Sequence, residues 1–83
     1  NKGYENISFD NSKGECDFLA WKNGELYAFQ VCYELTDYNR TREYNGFSTV
    51  QATIKRKTII TYNQKEQKDD IYIIPLWEWA LSD

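Results

Sequence analysis

Polar and apolar positions alternate through the first third of the chain, then change period, and that change sets the expected architecture. From Tyr4 to Phe9, Tyr4, Asn6 and Ser8 alternate with Glu5, Ile7 and Phe9, the two-residue period of a strand. Asp10-Asn11-Ser12-Lys13-Gly14 is a turn-rich connection. Glu15 to Trp21 and Leu26 to Glu34 read as two further strands, rich in aromatic and aliphatic residues. Between them stands Lys22-Asn23-Gly24-Glu25. Asn-Gly tolerates the positive φ angles of a two-residue type I′ turn, so a hairpin is expected here.

Such a turn pairs Lys22 with Glu25 and fixes the register of the rest. One face then sets Asp17 opposite Gln30, Glu15 opposite Cys32, Leu19 opposite Ala28 and Trp21 opposite Leu26. The other sets Cys16 against Val31, Phe18 against Phe29 and Ala20 against Tyr27. Both faces are largely apolar, which calls for a central hairpin covered on both sides. One end is polar, with Glu15, Asp17, Gln30, Cys32 and Glu34 gathered there.

From Asn39 to about Ile54 the period becomes helical, with Tyr44, Phe47, Val50 (or Gln51) and Ile54 on one stripe. Asp37 or Asn39 is placed to cap its start. Gly46 and the threonines lower the local propensity, so packing must stabilise this helix. Lys55-Arg56-Lys57 is expected to close it, offsetting the negative helix end. Thr58 to Tyr62 reads as a short buried strand, Asn63 to Asp70 as a charged loop, and Ile71 to Ile74 as a fifth strand. Pro75 suits the first turn of a last helix, with Leu76, Trp79 and Ala80 toward the sheet. The fold class is α/β, or α+β with a mixed sheet: about five strands, a crossover helix between parallel neighbours, and a C-terminal helix.

Eighty-three residues, 41% of them hydrophobic and 17% aromatic, suit one domain with a modest core. Methionine is absent, at position 1 as elsewhere, so the chain is read as a single domain that forms the tail of a longer polypeptide. A net charge of −3 gives no general attraction to nucleic acid. No segment approaches the roughly 20 apolar residues of a membrane span. Cys16 and Cys32 fall on opposite sheet faces, so no disulfide is expected, and two free thiols fit the cytoplasm. Without histidine there is no Ser/His or Cys/His nucleophile pair.

The polar end of the hairpin is the candidate for chemistry, because carboxylates facing across two strands can hold Mg²⁺. Gly14-Glu15-Cys16-Asp17-Phe18, a hairpin, then Ala28-Phe29-Gln30-Val31-Cys32, resembles the core of the PD-(D/E)XK nuclease superfamily. There an Asp on one strand faces a (D/E)-X-K tripeptide on the next. Thr41-Arg42-Glu43, Ile59-Ile60-Thr61-Tyr62 and Ile74-Pro75-Leu76-Trp77-Glu78-Trp79 narrow the likeness. Together they resemble the carboxy-terminal nuclease-like domain of a prokaryotic family of AAA-type P-loop ATPases of unknown function.

The resemblance implies a restriction-endonuclease-like core with its first helix missing. Asp17 matches the Asp position, Gln30 stands where the acid belongs, and Cys32 stands where the lysine belongs. A thiol supplies no positive charge, so the site is degenerate and the domain is expected to be an accessory used for binding or assembly. The alternative is a Mg-dependent DNA nuclease with Asp17 and Gln30 on the metal; a third reading is a purely structural terminal domain. No cofactor is expected outside the nuclease alternative. Arg40 and Arg42, at the helix start, are the candidate phosphate contacts, so DNA contact is expected to be local and weak. The expected partners are the chain's own upstream ATPase domain and further copies of itself. Tyr4, Phe9, Trp21 and Trp77 are the apolar residues expected to stand exposed where such a partner packs.

Overall fold

Asn23 and Gly24 both adopt positive φ, 54° and 77°, and this turn starts the sheet as the sequence predicts. In the computed structural model residues 3–9, 18–50 and 52–81 are described, apart from the side chains of Ser8, Phe9 and Thr49. Strand β2 (Phe18–Lys22) pairs antiparallel with β3 (Glu25–Val31), with Lys22 opposite Glu25, Trp21 opposite Leu26 and Phe18 opposite Phe29. Strand β1 (Asn6–Phe9) lines the outer side of β2. The expected pairs of Glu15, Cys16 and Asp17 lie outside the described residues.

After β3 the chain crosses over through helix α1 (Arg40–Gly46) and a 3₁₀ turn, Phe47–Thr49, into β4 (Ile54–Thr61), which runs parallel to β3. Strand β6 (Ile71–Pro75) adds parallel to β4, and β5 (Glu66–Lys68) closes that side antiparallel. Helix α2 (Leu76–Leu81) follows β6 directly. The result is a mixed α+β fold with one six-stranded sheet in the order β1-β2-β3-β4-β6-β5.

Several expectations are corrected here. The helical stripe does not run to Ile54: Gly46 and the following Ser and Thr end the helix, and Val50 is already extended. Lys55-Arg56-Lys57 therefore does not cap a helix but runs along β4, where pairing with β3 outweighs the weak local propensity. Strand β3 stops at Val31 rather than Glu34. The charged segment after Asn63 holds a sixth strand, because Asp69 takes φ of 54° and lets Lys68 pair with Ile71 across a two-residue turn.

The sheet is covered on both faces. On the α1 face, Ala28, Cys32, Leu35, Phe47, Ile59, Ile71 and Ile73 form the larger core, joined by Tyr44, Val50 and Ile54. The residues of the expected stripe thus do share a core, though Ile54 reaches it from a strand. On the opposite face Ala20, Phe29 and Ile60 pack with Tyr4, Phe18, Tyr27 and Trp79. Phe18 stacks on Phe29 at 4.7 Å between ring centroids, and Trp79 meets both rings edge-on. Of the α2 residues expected to face the sheet only Trp79 does so; Leu76 and Ala80 are exposed. Such central parallel strands read as near-continuous Val/Ile-type runs because neither face meets water, and Thr58 to Thr61 is one.

Gln64 ties the crossover to the far side of the sheet. Its side chain accepts from Leu35 N at 2.7 Å and donates to Leu35 O at 2.9 Å, a two-point clamp across 29 residues. Thr61 Oγ1 supports it by accepting from Gln64 N at 2.9 Å.

Candidate functional site

Gln30 and Cys32 leave the same face of the sheet at the end of β3, and helix α1 lies over both. Gln30 is 2% exposed, and its Nε2 donates to the Glu43 carbonyl at 2.9 Å. Amide side chains this buried need partners on the protein, and α1 supplies one. Gly46 permits the approach: a Cβ there would fall within contact of the Gln30 amide, closer than packing allows.

Cys32 is buried and not in a disulfide. Its Sγ lies 3.3 Å from the Glu34 carbonyl and accepts from Asn39 Nδ2 at 3.7 Å. Burial pushes the thiol above its usual pKa, and the nearby Glu43 carboxylate pushes it the same way. At neutral pH the position expected for a lysine therefore carries a neutral thiol.

Asn39 precedes α1 but does not cap it with its side chain. Its Oδ1 instead accepts from Thr36 N at 2.8 Å and its Nδ2 donates to Glu34 O at 3.0 Å, folding the 33–39 loop over Cys32. Glu34 itself is exposed and contributes its backbone rather than its carboxylate.

Of the two arginines, only Arg42 bears on this site, its charge acting on the Cys32 thiol. Arg40 faces away to β5, with Nη1 and Nη2 at 3.2 and 3.4 Å from the two Glu66 oxygens and Nη1 2.9 Å from Tyr44 Oη. These bonds raise its pKa further above the ordinary guanidinium value. Arg42 is largely exposed and pairs with Glu43 at 3.3 Å. Glu43, named in the sequence only as part of the Thr41-Arg42-Glu43 likeness and missed as a site residue, has a side chain only 15% exposed. The signal was available: Asn39, Glu43 and Phe47 stand four apart and share one helical face. Asp17 and Glu15, the remaining members of the predicted cluster, lie outside the described residues. Among the described residues no group of three or more His, Cys, Asp or Glu side chains could hold a metal ion.

On the opposite face, around the same end of β3, is an apolar groove of about 300 Å³ lined by Phe18, Val31, Tyr33, Ile60, Tyr62 and Leu76, among others. Val31, Tyr33, Tyr62 and Leu76 are each more than half exposed, and the Tyr33 and Tyr62 rings stack at 5.1 Å. Trp77 is exposed as expected, whereas Tyr4 and Trp21 are partly covered; the Phe9 side chain lies outside the described residues.

The chain is 37% identical over 92 residues to the uncharacterized protein MJ1544 of Methanocaldococcus jannaschii, a match covering 94% of this chain and 20% of that protein. It thus spans about a fifth of the length of the curated relative it matches. No family model matches the chain, and no solved structure does. Among the described residues no helix is long and apolar enough to cross a membrane.

Proposed function

We propose that this domain is a degenerate nuclease-like module of a longer, cytoplasmic P-loop ATPase polypeptide, serving assembly rather than cleavage. The observation that carries the reading is the pair Gln30 and Cys32. Where a nuclease of the resembled type would present an acid and a lysine, one side chain is tied to a helix carbonyl and the other is a buried neutral thiol. Neither can supply the positive charge that stabilises a developing phosphorane. Arg42, whose charge acts on the Cys32 thiol, is paired with Glu43, and Arg40 is paired with Glu66.

Two further observations support assembly. The apolar groove beside Val31 and Leu76 is the kind of exposed patch that packs on a partner. The matched relative has most of its length outside the matched region, which leaves room for such a partner within one polypeptide.

The test is a cleavage assay. The chain should leave duplex and single-stranded DNA intact in Mg²⁺ or Mn²⁺, and Asp17→Ala should change nothing. Metal-dependent cutting that disappears in Asp17→Ala would establish the nuclease alternative instead. Cutting gained by the Gln30→Glu, Cys32→Lys double variant would support the ancestry.

A further inference from the structure

The basic run on β4 does not act as one patch. Lys55 pairs with Glu25 at 3.3 Å and Lys57 with Asp70 at 3.2 Å. Arg56 has no carboxylate partner among the described residues. Its direction comes from a register shift: Leu26 pairs with Ile54, but the next residue, Tyr27, pairs with Arg56, so Lys55 is an extra residue in the strand. An inserted residue reverses the alternation beyond it and re-aims the side chains that follow. Ile54 therefore packs into the α1-side core, while Arg56 emerges on the opposite face beside Tyr27. Without the bulge Arg56 would share the face of Ile54.

On that face lies a groove of about 390 Å³, within the size range of small-molecule sites. Arg56 lies over the Tyr72 ring, 4.8 Å from its centroid. Lys22, from the end of β2, is a second cation on the wall, also without a carboxylate partner among the described residues. Tyr4, Tyr27 and Trp79 complete an aromatic lining, with Tyr4 meeting Tyr27 edge-on at 5.6 Å. The one acid on the wall, Glu78, is engaged by Lys65 at 3.1 Å. Two cations without a carboxylate partner among the described residues, in a concave, ring-lined groove, attract an anion, and the flat faces favour a planar ring attached to it.

We propose that this groove binds a small anion carrying a planar ring, of nucleoside monophosphate class, with Arg56 and Lys22 on the anionic group and the tyrosine rings against the planar one. The site is on the sheet face opposite Gln30 and Cys32 and does not depend on the nuclease resemblance. It requires only local phosphate recognition, which the chain's net negative charge does not oppose at short range.

The experiment is an NMR titration of the 83-residue chain with AMP, adenosine and inorganic phosphate. AMP should give saturable shifts at Tyr27, Arg56 and Tyr72, with adenosine and phosphate each weaker by about tenfold or more. Arg56→Ala and Lys22→Ala should each weaken AMP by roughly tenfold, the loss expected for a charge-assisted contact. Lys55→Ala should leave AMP binding unchanged. The proposal fails if AMP gives no saturable shift up to about 10 mM. It fails equally if the shifts survive in both Arg56→Ala and Lys22→Ala, or if phosphate alone binds as tightly as AMP.

Discussion

The Gln30 side-chain amide donates to the backbone carbonyl of Glu43 across 2.9 Å, joining the middle of the sheet to the last turn of α1. Gln30 is almost fully shielded from water, and α1 is only seven residues long. A helix of that length has little stability of its own, so it depends on such anchors. Gln30→Ala should therefore lower unfolding stability by about 1–3 kcal/mol in urea titrations. A change below ~0.5 kcal/mol would mean that the amide is dispensable to the fold.

Gly46 and Gln30 form a coupled pair. Gly46→Ala gains helix propensity of about 1 kcal/mol at best. It also drives a methyl group into an amide that cannot retreat without losing its partner. The net effect should be destabilising, and Gly46→Ala in a Gln30→Ala background should cost less than in the native chain. A double-mutant cycle measures this directly, and additive costs would disprove the steric link.

Cys32 gives the protein an alkaline weakness. Its thiol pKa is raised in the folded state by burial and by Glu43, so the folded chain holds the proton more tightly than the unfolded chain does. The contribution to stability is complete below the unfolded value, about 8.5, and is lost as pH rises through the folded value. Stability should fall as pH rises past that unfolded value, and the fall should be shallower in Cys32→Ala. Tyr4 is raised in the same direction, chiefly by burial, but it is present in both proteins, so the comparison isolates Cys32. Identical slopes for the two proteins would remove Cys32 from the account.

Arg40 and Glu66 make a forked ion pair that is partly open to solvent, with side chains 27% and 40% exposed. Exposed pairs are screened and weak, so Glu66→Ala should cost no more than about 1 kcal/mol. Most of that cost should vanish near 1 M salt. A salt-independent loss above about 2 kcal/mol would show that Glu66 has a role beyond pairing.

Between Phe18 and Phe29 the hairpin was legible in the sequence because Asn23-Gly24 specifies both turn and register, and Phe18, Ala20, Tyr27 and Phe29 follow from it by alternation. The crossover was legible as a connection but not in its length. A helical stripe of apolar residues and a strand can offer the same residues to one core, and Ile54 does so from β4. Strand β5 has all three residues exposed, so no apolar period marks it; its only trace was the Asp69-Asp70 turn. Of the candidate site, the shared face of Gln30 and Cys32 was readable from parity. That α1 would seal it, and that Arg40 would turn to Glu66, depended on helix rotation and on a strand that left no pattern.

That unmarked strand decides how the sheet meets its surroundings. A row of open backbone N–H and C=O groups at a sheet margin is a template on which another chain can grow. Here the margin is three residues long, and Glu66 and Lys68 place opposite charges along it. A stranger's strand arriving there would have to desolvate both charges to gain very few hydrogen bonds. The forked grip of Arg40 on Glu66 keeps that short ribbon in register, so the charged fringe stays in place. Beneath it lie Ile71 and Ile73, both buried, which a lost β5 would bring to the rim. A ribbon too polar to contribute to the core thus makes this margin a poor template for a further strand.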